Sequence, residues 1–185
     1  MLDRASCTML TERFHPCSLR GMDELLPQFR AEVVCAVTGW DGGILRTRRT
    51  RSGLFPETKP ENRRDGETVR WTWFSFVDLC QARTVAKLGQ MGFSPDDAVG
   101  ISNHIRDAFW MRARGKDFAS IAIVRAGLPR SGIPQTIKWT DHKATFAELW
   151  MENSDLEVAA VVDCAEIYRA VHYIVRERGF YRDGA

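Results

Sequence analysis

Four arginines stand within six residues of this chain: Arg46, Arg48, Arg49 and Arg51, with no acidic residue among them. The chemistry open to such a group is anion recognition. A guanidinium is planar and always charged, and its fork of N–H donors matches the paired oxygens of a phosphate or the edge of a guanine. A merely solvated helix face has the same composition, so the flanking residues must decide. The other chemistry-bearing residues are scattered. His15, His104, His142 and His172 stand singly, and Asp141-His142 is a bare dipeptide. General acid–base work and metal binding both need partners at defined geometry. No G-x-S-x-G elbow, Walker loop, H-E-x-x-H motif or dinucleotide fingerprint occurs. No catalytic residue, metal site or cofactor is expected, and the chain is not expected to be an enzyme.

The elements that must position the arginines can be read from either side of them. Val33, Val34 and Val37 form a helical apolar stripe within a predicted helix over Gln28–Thr38, and Gly39 supplies its stop. Asp41 is placed to cap a second helix over Gly42–Ser52, which Gly53 ends. Two helices joined by a tight turn at 39–41 make a helix-turn-helix. The helical period puts Ile44 and Leu45 on the buried side of the second helix and Gly43, Arg46, Thr47 and Thr50 opposite. Arg49 and Arg51 flank that face, and Arg48 points back toward the core. Arg46, Thr47, Arg49 and Thr50 are therefore the first candidates for contact with DNA, with Arg51 beside them. Gly42 and Gly43 would let the helix N-terminus approach a phosphate.

Residues 54–73 break the helical period at Pro56, Pro60 and Asp65-Gly66 and are predicted to form a hairpin. Its second arm, Thr68–Phe74, is β-branched and aromatic, with Trp71 and Trp73 on one face as core residues or nucleobase stackers. Lys59, Arg63, Arg64 and Arg70 make this hairpin basic. A basic hairpin following a basic helix is a wing, able to lie along a phosphate backbone or enter a minor groove.

Beyond the wing, Ser75 with Asp78 reads as a capping box opening a third helix to Gln90, and Ser94-Pro95-Asp96-Asp97 opens a fourth to Arg112. After a short linker come strands over Ser120–Val124, Gln135–Trp139 and Leu156–Val162. A short helix over Lys143–Met151 and a last amphipathic helix over 164–178 complete the reading. Three parts follow: a tail over 1–22, a DNA-binding domain over 23–112, and a small α/β module over 118–181. The fold class is α+β, four helices with a β-hairpin wing followed by that module. Net charge is only +2, so the local concentration at 44–52, not the total, would attract a polyanion. The five cysteines, Cys7, Cys17, Cys35, Cys80 and Cys164, are widely spaced without a C-x-x-C pair and read as reduced thiols of a cytoplasmic protein, with redox or metal sensing as the alternative. No run is long enough for a membrane span and the first 22 residues lack a signal-peptide core.

Over residues 31–109 the chain resembles the winged-helix DNA-binding domain of the MerR family of bacterial regulators. The likeness rests on Val37-Thr38-Gly39, Leu45-Arg46, Gly53-Leu54, Phe74-Ser75 and Met91-Gly92-Phe93-Ser94, in that order. Departures are Thr47 and Arg48 where the family often has aromatics, a long wing, and a compact module in place of the usual coiled-coil helix. The resemblance implies a homodimeric, sequence-specific transcription regulator on an inverted repeat in double-stranded DNA. Residues 118–181 would supply the dimer contact through helix 164–178 or strand Leu156–Val162, unless that helix packs on its own sheet. Two other functions share these features: a partner-protein or ligand-sensing module, and an excisionase-like DNA-bending factor. Trp139, Trp150 and Tyr168 could line a pocket for a small-molecule effector or serve as core.

Overall fold

The computed structural model describes residues 24–55, 72–116, 121–125, 136–140 and 160–180. It is a mixed α+β fold. Among the described residues there are helices α1 (Ala31–Thr38), α2 (Gly42–Arg51), α3 (Phe76–Gln90), α4 (Pro95–Ala113) and α5 (Cys164–Glu177), and strands β1 (Ile121–Arg125), β2 (Thr136–Thr140) and β3 (Ala160–Asp163). The tail, most of the predicted hairpin, the Lys143–Met151 helix and residues 156–159 of the predicted last strand lie outside the described residues.

Helix α3 is the hub. Phe76, Leu79, Cys80, Ala82, Val85 and Leu88 are buried on it, and α1, α4 and α5 all pack against it. Its start is fixed by the predicted capping box. Ser75 Oγ accepts from Asp78 N at 3.2 Å, and Asp78 Oδ2 accepts from Ser75 N at 2.8 Å. Because α3 is wrapped on several sides, Asp78 is also buried, and Arg106 of α4 reaches its other oxygen at 3.2 Å. Ser94 caps α4 with Pro95 in its first turn, as its sequence predicts.

Helix α1 begins at Ala31, three residues later than its apolar period implies. The amides of Gln28 and Phe29 both donate to Phe74 O at 2.9 Å, and Phe74 N donates to Phe29 O at 2.8 Å. This bridge holds the residues before α1 extended and ties them to the chain entering α3.

The three strands form an antiparallel sheet in the order β2-β1-β3. Ala122 and Val124 of β1 stand opposite Val162 and Ala160 of β3, and these four join the main hydrophobic cluster. Alternation of side chains puts Val161 on the other face, where it is exposed. Asp163 ends β3 and caps α5 through Glu166 N at 2.8 Å.

Helix α5 packs against the body of the chain. Its apolar face, Ile167, Val171 and Val175, is buried in the same cluster as Val34, Phe76 and Leu79, and α5 packs on α1, α3 and α4 as well as β1. That face turns inward within the chain instead of outward to a second copy. The hydrophobic core therefore runs across the linker without interruption, and the two parts read from the sequence share it.

Candidate nucleic-acid interface

The corner between α1 and α2 is held by four interactions. Thr38 Oγ1 donates to Val34 O at 2.7 Å and accepts from Trp40 N at 3.2 Å. Gly39 takes a left-handed conformation at φ 77° and sends its amide to Cys35 O at 2.9 Å. Arg83 of α3 donates to Val37 O at 2.6 Å, placing a cation at the negative end of α1. Asp41 then starts α2 by accepting from Ile44 N at 2.7 Å. A Cβ at Gly43 would stand 3.1 Å from Asp41 Oδ1 and crowd this cap. The positive end of α2 is thus served by a carboxylate, which disfavours the phosphate role read from the paired glycines.

A single residue of α2 is buried. Leu45 is 4% exposed, whereas Ile44, expected beside it in the core, is 40% exposed. The helix has one fully buried apolar anchor, with Leu54 and Phe55 buried just beyond its end. Rotating about that anchor sorts the remaining residues. Arg46, Thr47, Thr50 and Arg51 are exposed, and Arg48 and Arg49, one turn from Leu45, are half-buried. Among the described residues no carboxylate forms an ion pair with Arg46, Arg48, Arg49 or Arg51. Arg48 Nε is buried without a hydrogen-bond partner among them, and its carbonyl accepts from Ser52 N and Leu54 N.

Arg49 is engaged with the protein. It donates to Thr72 Oγ1 at 3.3 Å, and its guanidinium lies 5.5 Å from the centroid of the Phe74 ring. Burial lowers its pKa from the ordinary guanidinium value, yet the group stays charged at any physiological pH. Phe55, in the left-handed region at φ 63°, packs its ring 5.1 Å from Phe74. A phenylalanine there is strained, and burial of its ring offsets the strain. Arg30, immediately before α1, lies 5.2 Å from the Trp73 ring. Residues 55 and 72, which bracket the basic segment, are therefore both fixed beside α2. Lys59, Arg63, Arg64 and Arg70 of that segment, with Trp71, lie outside the described residues.

Sequence reasoning missed Thr72, Phe74 and Arg30 at this face. Their contacts with Arg49, Phe55 and Trp73 join residues 19 to 43 positions apart, and no local period marks them. Elsewhere, Trp139 and Tyr168 pack partly buried against the core, and Trp150 lies outside the described residues. Tyr168 donates to Glu24 Oε2, and burial with this carboxylate raises its pKa strongly. Burial also raises the thiols of Cys35, Cys80 and Cys164, the last to about 12, so these three are protonated and poorly nucleophilic at neutral pH. His172 is half-buried against Phe76, and His104 is exposed. Among the described residues, no three His, Cys, Asp or Glu side chains gather into a metal-binding group, and no helix is long and apolar enough to cross a membrane.

No protein-family model matches the chain, and no curated protein matches it.

Proposed function

We propose that this chain is a sequence-specific, double-stranded-DNA-binding transcriptional regulator of the bacterial cytoplasm, built on a MerR-like winged helix-turn-helix and acting as a homodimer on an inverted repeat. One observation carries the reading: α2 offers an exposed cationic face, with Arg46 and Arg51 unpaired by any carboxylate among the described residues, on a helix held to the body through Leu45. In this reading α2 enters the major groove. Arg46 and Arg51 bond phosphates or guanine edges, and Arg49 positions the chain that returns from the wing. Lys59, Arg63, Arg64 and Arg70 grip the flanking backbone. Because the apolar face of α5 is used internally, the dimer contact falls to the edge of β3 and to the outer face of α5, where Tyr173 is 64% exposed.

The test is a gel-shift titration of the purified protein with Arg46→Ala/Arg51→Ala. The double variant should bind at least about tenfold more weakly than wild type. Equal binding removes these residues from the interface. A protein that shifts no duplex at all supports the partner-protein reading instead.

A further inference from the structure

We infer that α2 reads thymine methyl groups, through an apolar stripe formed by Ile44 and the γ-methyls of Thr47 and Thr50 set among the arginines. This deepens the proposed DNA binding and rests on it. Thr47 Oγ1 lies 3.0 Å from Gly43 O, and Thr50 Oγ1 lies 3.0 Å from Arg46 O. A carbonyl only accepts, so in both pairs the hydroxyl must donate. Neither threonine then has a proton to offer a base acceptor. With the oxygens turned back along the helix, the groups left facing outward are the γ-methyls.

Ile44 completes the pattern. It stands one turn before Thr47 and shares its side of the helix. Ile44 is exposed because Leu45 is the one fully buried residue of α2, and Ile44 stands about 100° round the helix from it. An exposed isoleucine is common and needs no explanation by itself. Here it lies beside Thr47, and Thr47 beside Thr50, whose donor protons are already used, with Arg51 on the Ile44 side of this stripe and Arg46 on the Thr50 side. In the major groove the thymine 5-methyl is the one apolar group on a base edge, and small apolar side chains are its natural partners. The occupant that matches both the charge and the apolar stripe is thymine-containing duplex DNA.

The experiment uses the full chain and the duplex recovered by selection from random DNA. Each thymine of that duplex is replaced singly by uracil, which deletes only the methyl. At least one replacement should weaken binding about three- to tenfold. Ile44→Ala should lower affinity for the thymine duplex by a similar factor and lose sensitivity to a uracil replacement. Thr47→Val, which keeps the methyl, should bind as wild type, and Thr47→Ser, which keeps the hydroxyl, should bind more weakly. The reverse order of those two variants overturns the inference, as does a duplex that tolerates uracil throughout or a selected site without thymine. Uracil-tolerant binding leaves the proposed function standing, whereas failure to bind any duplex removes both. All three side chains are exposed, and thermal melts of each variant establish that it is folded.

Discussion

Arg46 and Arg49 sit three residues apart on α2, and replacing each with alanine should produce opposite signatures. Arg49 is half-buried and holds Thr72 and the Phe74 ring. Its cation–π contact is worth about 0.5–1 kcal/mol at a partly exposed site. Its hydrogen bond adds roughly 0.5–1 kcal/mol once solvent screening is allowed for. Together the two contribute about 1–2 kcal/mol. With a urea slope of about 2 kcal/mol/M, the denaturation midpoint of Arg49→Ala should fall by roughly 0.5–1 M. Arg46 is exposed with no such ties among the described residues, and its loss should change stability by no more than about 0.5 kcal/mol. The order reverses in DNA binding. Arg46→Ala should weaken a specific duplex by about 1–3 kcal/mol, roughly 5- to 150-fold, and should lower the slope of log K against log salt by about one if the contact is to phosphate. Urea titration and fluorescence anisotropy on the same samples measure both. An unchanged urea midpoint for Arg49→Ala refutes its anchoring role. Unchanged affinity for Arg46→Ala refutes the assignment of the exposed face.

Asp78→Ala should be among the more damaging changes in the chain, because it removes at once the buried carboxylate that caps α3 at the Ser75 amide and meets the half-buried Arg106; a loss of about 2 kcal/mol is expected by chemical denaturation, and a loss below about 0.5 kcal/mol contradicts the reading. His172 should make stability fall on acidification. Burial first, and Arg176 second, lower its pKa in the fold. The unfolded chain therefore takes up the proton first, and stability present above about pH 6.5 is lost as pH drops toward the lowered folded value; His172→Phe should remove that component of the pH profile, and an unaltered profile argues against it. A fragment ending at residue 116 should fail to melt cooperatively, because it lacks Ile167, Val171 and Val175 from the core; a two-state melt at the full-length temperature would contradict the continuous core.

The helices were legible because their signals are local. Ser75, Asp78, Ser94, Pro95, Asp41 and Asp163 each sit where a cap must sit, and each start was read within a residue or two. The start of α1 was not, because the Phe29–Phe74 bridge is made with a residue 45 positions away and overrides the apolar period. Ile44 was misread for a related reason. Periodicity says which residues share a face, but the depth of contact depends on what the helix leans on, and in α2 only Leu45 is fully buried. The amphipathic period of α5 was plain, yet the sequence could not say whether its partner was this chain or another copy. At the candidate interface the four arginines were visible at once. The helical period already turned Arg48 toward the core, but the half-burial of Arg49 needed its tertiary contacts with Thr72 and Phe74.

Selection of bound duplexes from a random pool, using the purified full-length protein, addresses the central claim without presuming any site. A motif with twofold symmetry, containing thymine, should be enriched, with an affinity that falls steeply with salt and collapses in Arg46→Ala/Arg51→Ala. A bound pool no different from the starting pool would contradict it.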